Sequence, residues 1–343
     1  MIWIELLEGS SFAEWDAYVE ARPEATCYHL RAWKRVAERA YGIQTSFLLA
    51  RRKGAIAGVQ PLFTVRRPMH CHVTSGLFGA YGEVLADDAE TRDSLLAAAR
   101  VVVAREGAGY LQLKGLGDRA SPAPDFTRVD TSVTAVLALS GGPESLWKRF
   151  DGDMRTRIRK AQKSGLQVSS GPAELRAFYG LLAVHCHRKG TPAYGFRFMR
   201  ELAAALGERC EIVTLSLDQR PVAGALVIHF NGTTYVPWAC SRREEFKLRP
   251  NNLLYWEIIQ RSCARGMERL DFGRSPRGST NLQFKQSWGA ALVPVPFHIY
   301  QPGRGKPLLD SAAGGVDRLV RLWQKLPRRW VDAVGPAVSP WLV

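Results

Sequence analysis

Two short runs in the last third of the chain hold residue types that could carry out group-transfer chemistry. Asp271-Phe272-Gly273-Arg274-Ser275 sets a carboxylate at the end of a predicted strand, 269–272. The glycine behind it lets a ligand approach the backbone. Phe284-Lys285-Gln286-Ser287-Trp288-Gly289 follows on a predicted short helix, 281–288. A lysine there, facing an adjacent strand end, puts one cation beside a developing oxyanion or a phosphate. Taken singly, Lys285 reads as a surface lysine and Asp271 as a cap or ion-pair partner. Taken with the order of elements set out below, Lys285 and Asp271 are the catalytic candidates, with Gly273, Arg274, Ser275 and Phe284 as donor- or substrate-binding candidates.

A basic helix predicted over 144–164 is the second candidate region. Arg155, Arg159 and Lys163 stand at i, i+4 and i+8 and line one stripe. Asp151 and Asp153 are the only acids between Trp147 and Gly171, so an anion would relieve the mutual repulsion of the cations. A solvated helix face accounts for the pattern equally well. The histidine pairs carry less. His185 and His187 point about 200° apart on a helix and cannot chelate one ion. His70 and His72 could share a strand face but have no further ligand nearby, and no metal site is expected. Gly115-Leu116-Gly117 lacks the third glycine of a dinucleotide fingerprint and reads as a turn.

The elements that must position these residues alternate between helix and strand. In the first half, helices are predicted at 16–20, 30–41 and 93–105, and strands at 45–50, 58–65, 110–114 and 131–139. A glycine-rich segment, 75–82, lies among them. In the second half, helices at 173–189 and 196–206 precede a hairpin of 211–217 with 221–230. Asn231-Gly232 is a strong hairpin signal and leads into a third strand, 233–239. Asn252 is placed to cap a helix over 253–265, and a strand at 293–300 closes the series. The reading is α/β (α+β), with mixed sheets flanked by helices. Three regions are expected: 1–142, 143–301, and a linker and basic amphipathic tail over 302–343.

Charge is unevenly distributed. The 343 residues carry a net charge of +15. Residues 1–150 hold 18 basic and 17 acidic side chains, and residues 151–343 hold 29 and 15. The excess in the second half predicts an anionic partner there. Six scattered cysteines without a Cys-x-x-Cys pair argue for reduced thiols rather than a disulfide framework or zinc site. The N-terminus shows neither a basic n-region nor an apolar h-region, and the longest apolar stretch, 95–104, is too short to span a bilayer. The expected location is cytoplasmic, with peripheral contact at the inner membrane face through residues 315–334, where Val316, Leu319, Val320, Trp323, Leu326, Trp330 and Val334 fall on one face and Arg318, Arg321, Lys325, Arg328 and Arg329 are basic. Pro327 should kink that tail.

Three antiparallel strands, a helix, a strand, a helix and a strand is the order of an acyl-CoA-type N-acetyltransferase (GNAT) domain, and the first half looks like a weaker copy. Over about residues 30–300 the chain resembles the FemAB family, tandem acetyltransferase-like proteins that transfer amino acids from aminoacyl-tRNA onto peptidoglycan precursors. The resemblance rests on Arg157-Ile158-Arg159-Lys160-Ala161, Gly165-Leu166-Gln167-Val168, Arg188-Lys189-Gly190-Thr191-Pro192, Asp271-Phe272-Gly273, Phe284-Lys285 and Trp288-Gly289. It is nearest to the FemAB-related branch associated with exosortase (PEP-CTERM) and exopolysaccharide loci.

The resemblance implies that Lys285 stabilises the transition state at the acyl ester and that Trp238 is the aromatic of the third meander strand. A lysine and an arginine that grip the nucleotide-linked muropeptide in bridge-forming members align near Ala37 and Tyr194, neither of which binds by charge. Tyr81, in the glycine-rich segment, and Tyr194 are the acceptor-side candidates, and Asn252 joins the donor side. The expected function is transfer of an acyl or aminoacyl group from acyl-CoA or aminoacyl-tRNA to an amine or hydroxyl of a cell-envelope or exopolysaccharide precursor, the acceptor losing its proton to Asp271 or to the departing group. The donor is a co-substrate, no cofactor is tightly bound, and DNA is not a partner. The CoA version lacks the glycine-rich pyrophosphate loop over 241–252, and the tRNA version lacks the muropeptide ligands. A rival reading is a non-catalytic protein that holds a polyanion or a membrane complex on a degenerate transferase fold.

Overall fold

Asn231 and Gly232 both adopt positive φ, 42° and 67°, and close the hairpin between Arg220–Phe230 and Thr233–Ser241. That hairpin is the centre of a seven-stranded sheet. Its order is Gln167–Ser170, Cys210–Leu217, Arg220–Phe230, Thr233–Ser241, Arg269–Pro276, Ser132–Ala138 and Ala291–Pro294. The first four strands pair antiparallel, and Thr233–Ser241 pairs parallel with Arg269–Pro276. A parallel neighbour needs a crossover, and the helix Pro250–Ala264 supplies it. The computed structural model describes residues 1–9, 11–67, 70–118, 121–303 and 313–342, without the side chains of 313–318 and 342.

The chain divides into two compact units. One comprises Met1–Val133, Val293–Ala313 and Pro340–Val343, and the other Thr134–Leu292 and Gly314–Ser339. The first unit holds a four-stranded antiparallel sheet, ordered Ile2–Leu6, Leu48–Arg52, Ala55–Gln60, Leu85–Ala86. It also holds a six-stranded sheet, ordered Gln44–Thr45, Phe63–Arg67, His70–Thr74, Leu111–Lys114, Phe297–Tyr300, Phe126–Val129. The helix Ala89–Arg105 packs Leu95, Leu96, Ala99, Val102 and Val103 into the core that these strands line. Asp88 caps it by accepting from the Thr91 amide at 2.9 Å.

Several expectations from the sequence are corrected. The strand expected at 131–139 within the first domain is Ser132–Ala138, in the sheet of the second unit. The strand expected at 293–300 is two strands, because Pro294 and Pro296 lack the amide hydrogens that would continue one ladder. Its second half, Phe297–Tyr300, pairs with Leu111–Lys114 and Phe126–Val129 in the first unit rather than closing the second. The tail is not a separate region, since Gly314–Ser339 belongs to the second unit. It forms two helices, Ala313–Lys325 and Arg328–Val338, with Pro327 at the N-cap of the second. Most of the expected linker, 304–312, lies outside the described residues.

The basic helix is also two helices, Gly142–Arg149 and Gly152–Gln162. Phe150 leaves the helical backbone, and the Asp151 side chain restarts the second helix by accepting from the Met154 amide at 2.6 Å. That cap supplies a partner to a donor that no helical carbonyl can reach. Asp151→Ala should therefore lower stability by about 1 kcal/mol, read as a shifted denaturation midpoint with an unchanged slope.

Candidate functional site

In the second unit, the parallel pairing of Thr233–Ser241 with Arg269–Pro276 stops after Tyr235 opposite Asp271. The register against Arg220–Phe230 shifts at the same place, with Leu226 opposite Trp238 and Ile228 opposite Tyr235. The extra residue makes a bulge at Val236-Pro237, and proline removes one ladder donor. The two strands therefore separate. Gly273 sits at the separation with φ 78°, where an added Cβ would lie 2.8 Å from the Val236 carbonyl oxygen.

Asp271 and Lys285 meet at this glycine. Asp271 is buried, and its Oδ1 accepts from the Thr134 hydroxyl and, at 2.8 Å, from the Gly273 amide. Lys285, on the helix Thr280–Gln286, is buried too, and its Nζ donates to the Gly273 carbonyl at 2.6 Å. Burial pushes the Lys285 ammonium down to about 8, and the nearby Asp271 charge partly opposes that shift. An ammonium has three donors, so the bond to Gly273 accounts for one of them. Tyr255 closes the site from beneath, with its ring 5.0 Å from Phe272, 5.6 Å from Phe284 and 6.2 Å from Trp288.

Beside this cluster lies a cleft of about 740 Å³. Ala239, Cys240 and Ser241 form one wall, Thr280, Asn281 and Phe284 another, and Asn251 brings in the first turn of the helix Pro250–Ala264. Arg188, Lys189 and Arg243 line it as well. Three cations and a helix N-terminus make an environment for a phosphate-bearing group. Arg188 donates to His185 Nδ1 at 3.1 Å, and burial, reinforced by Arg188 and Lys189, pushes His185 down to about 4. That histidine is neutral at ordinary pH and adds no charge. Cys240 is raised chiefly by burial and its Sγ donates to the Gly224 carbonyl, so it stands as a thiol rather than a nucleophilic thiolate.

Of the residues expected from sequence, Asp271, Gly273 and Lys285 converge, and Phe284 lines the cleft. Ser275 is buried and accepts from Asn281 Nδ2 at 3.4 Å, and Arg274 is half-buried. Trp238 is buried with its ring 5.5 Å from Tyr194 and 6.0 Å from Phe198. Asn252 is not the helix cap: Arg249 holds that position, and the Asn252 side chain turns inward to Met154 Sδ. Arg159 lies 5.2 Å over the Trp147 ring, Arg155 is half-buried, and Lys163 is exposed beyond the helix. None of the three lines the cleft. Tyr81, in the first unit, is fully buried against Tyr28 at 5.0 Å.

The cleft cations Arg188, Lys189 and Arg243 were not singled out as a site, because they come from the end of one helix and a loop more than fifty residues apart. The signal available was the basic last turn of 173–189. A second cavity of about 960 Å³ in the same unit is less suited to an anion, because its buried Glu211 is held by Arg261, Arg265 and His229. Among the described residues no group of His, Cys, Asp or Glu is placed to hold a metal ion, and no helix is long and apolar enough to cross a membrane. His72, buried and stacked 4.8 Å from Tyr110, faces an environment different from that of exposed His70.

Residues 148–286 match the family model described as an acetyltransferase (GNAT) domain, and the tandem α/β architecture is GNAT-like and FemAB-like. The solved structure of FemX is similar at TM-score 0.65 and 16% identity, over 87% of this chain and 97% of that one. L-PGS from Bacillus licheniformis is similar at 0.60 and 11%, over 94% and 99%. A tandem GNAT protein from the clavulanic acid biosynthesis pathway is similar at 0.58 and 12%, over 89% and 100%. No match was found among curated protein sequences.

Two outcomes follow for the site. Gly273→Ala, strained by its positive φ and by the Val236 carbonyl, should lose about 1–3 kcal/mol of stability by denaturant unfolding. For Lys285, the folded value of about 8 lies below the ordinary 10.5, so the unfolded chain binds more protons between them. Wild-type stability should therefore rise relative to Lys285→Met as pH increases through that window. Paired melting curves on both sides of pH 8 check this, and a difference independent of pH would contradict it.

Proposed function

We propose that this protein is an acyltransferase that moves an acyl or aminoacyl group from a phosphate-bearing donor to an amine or hydroxyl of a cell-envelope or exopolysaccharide precursor, working on the cytoplasmic side. The observation that carries this reading is the buried Lys285 ammonium at Gly273, set where two strands part beside a cleft lined by Arg188, Lys189 and Arg243. The cations and the helix N-terminus receive the donor phosphates, whether of acyl-CoA or of a tRNA acceptor end.

In the reaction, the acceptor nitrogen or oxygen attacks the donor carbonyl carbon, and the carbonyl oxygen becomes an oxyanion. Lys285 supplies a charged donor to that oxygen as it develops, which lowers the barrier without a change of protonation state. The C–S or C–O bond to the donor then breaks, and the leaving atom takes the proton released by the acceptor. Asp271 holds the Gly273 turn through its amide, so its part is positioning. A leaving group that collects the proton itself fits that arrangement. The similarity to FemX and to a tandem GNAT protein supports transfer from an activated donor in general.

Purified protein assayed with acetyl-CoA and with aminoacylated tRNA separates the two donors. Lys285→Met should lower turnover by roughly 10²–10³-fold with the fold retained, and Arg188→Ala should raise the donor KM by roughly tenfold. Because the charged lysine is the working form, the rate should decline as pH rises through about 8. Salt-sensitive binding of every polyanion, with no turnover from either donor, would instead favour the non-catalytic binding protein.

A further inference from the structure

The tail helices dock on the second unit by one face and leave another bare. On the docked side, Val320 packs so closely on Gly190 that a Cβ there would lie 2.5 Å from its Cγ1, and Gln324 Nε2 donates to the Arg188 carbonyl at 2.9 Å. Val331 and Gly335 are buried, Gly335 against the Ala193 backbone. The amphipathic stripe expected from sequence, which put Leu319, Val320, Trp323, Trp330 and Val334 on one face, is thus divided. Leu319 is 66% exposed, Leu322 58%, Trp330 58% and Val334 44%. Leu319 and Leu322 stand at i, i+3, and Trp330 and Val334 at i, i+4, so each helix presents one apolar row to solvent.

Cations flank both rows. Arg321, Lys325, Arg328 and Arg329 are all exposed, and Asp332, paired with Arg328 at 3.2 Å, is the one acid between residues 319 and 338. A partner for this surface must accept large apolar side chains and, alongside them, several positive charges with no fixed geometry. The acyl boundary of an anionic bilayer offers both together. We propose that residues 319–334 seat the protein on an anionic lipid surface. Leu319, Leu322, Trp330 and Val334 enter the acyl boundary, and Arg321, Lys325, Arg328 and Arg329 meet lipid phosphates. The surface is independent of the transfer reaction, although Gln324 ties it to the helix that carries Arg188.

Flotation of the full-length protein with phosphatidylcholine vesicles, with and without phosphatidylglycerol, tests this. The wild type should float with the anionic vesicles only. The double variant Leu322→Glu with Trp330→Glu should bind them more weakly by roughly tenfold or more. It should also melt like the wild type and keep its activity on soluble substrates, since both side chains face solvent. Failure of the wild type to bind anionic vesicles would overturn the proposal. So would unchanged binding by the double variant, which would reduce the contact to general electrostatics. Self-association of the wild type that the double variant abolishes, without vesicle binding, would reassign the surface to a second copy of the chain.

Discussion

Two β-strands that hydrogen-bond along their whole length leave no room between them, so the site in the second unit depends on the place where Thr233–Ser241 and Arg269–Pro276 stop pairing. Val236-Pro237 brings that about by inserting an extra residue and removing an amide donor. Gly273 takes up the opposite side with a backbone conformation that other residues rarely adopt. Two buried polar contacts fix the backbone on that side: Asp271 with the Gly273 amide, and Lys285 with the Gly273 carbonyl. An ammonium buried this way is costly unless it is hydrogen-bonded, and that cost is what lowers its proton affinity.

Electrostatics around the opening come from different residues than the charge runs in sequence suggest. The densest basic stretch, around Arg155, Arg159 and Lys163, meets Trp147, Asp153 and solvent, and lies outside the cleft lining. The cations at the cleft arrive from the end of Leu175–Lys189 and from Arg243, beside the start of Pro250–Ala264. Charge density along a chain reports repulsion between neighbours, whereas a binding site needs convergence in space. The +14 excess of the second half is therefore shared among a basic helix, a cleft and an exposed tail.

Much of the second unit was legible in the sequence, and for local reasons. Asn231-Gly232 has few backbone options, and the expected helix at 196–206 is present as Phe196–Leu206, with Phe198, Met199, Leu202 and Leu206 buried along one face. Asp271-Phe272-Gly273 and Phe284-Lys285 were readable from residue type, although the strand expected to end at 272 runs on to Pro276 and so holds Asp271 in its interior. Other features were not legible. Asn252 looked like a cap because its side chain can serve as one, but Arg249 with φ 57° begins the helix and leaves Asn252 to pack on Met154. Phe297–Tyr300 lies after the second set of elements in sequence yet pairs in the first unit, since strand pairing depends on which edge is vacant and not on order along the chain.

By itself, then, the sequence determined the element types, the hairpin, the candidate lysine and aspartate, and the charge asymmetry, all of which follow from side-chain chemistry and short-range backbone preference. Only the tertiary structure decided that Asp271 and Lys285 share one glycine, that Arg188, Lys189 and Arg243 meet at one cleft, and that the tail's apolar stripe divides into a docked face and a bare one. Each of these is a contact between segments far apart along the chain. Such contacts depend on which surfaces remain unburied once the core has packed, and no single window of sequence records that.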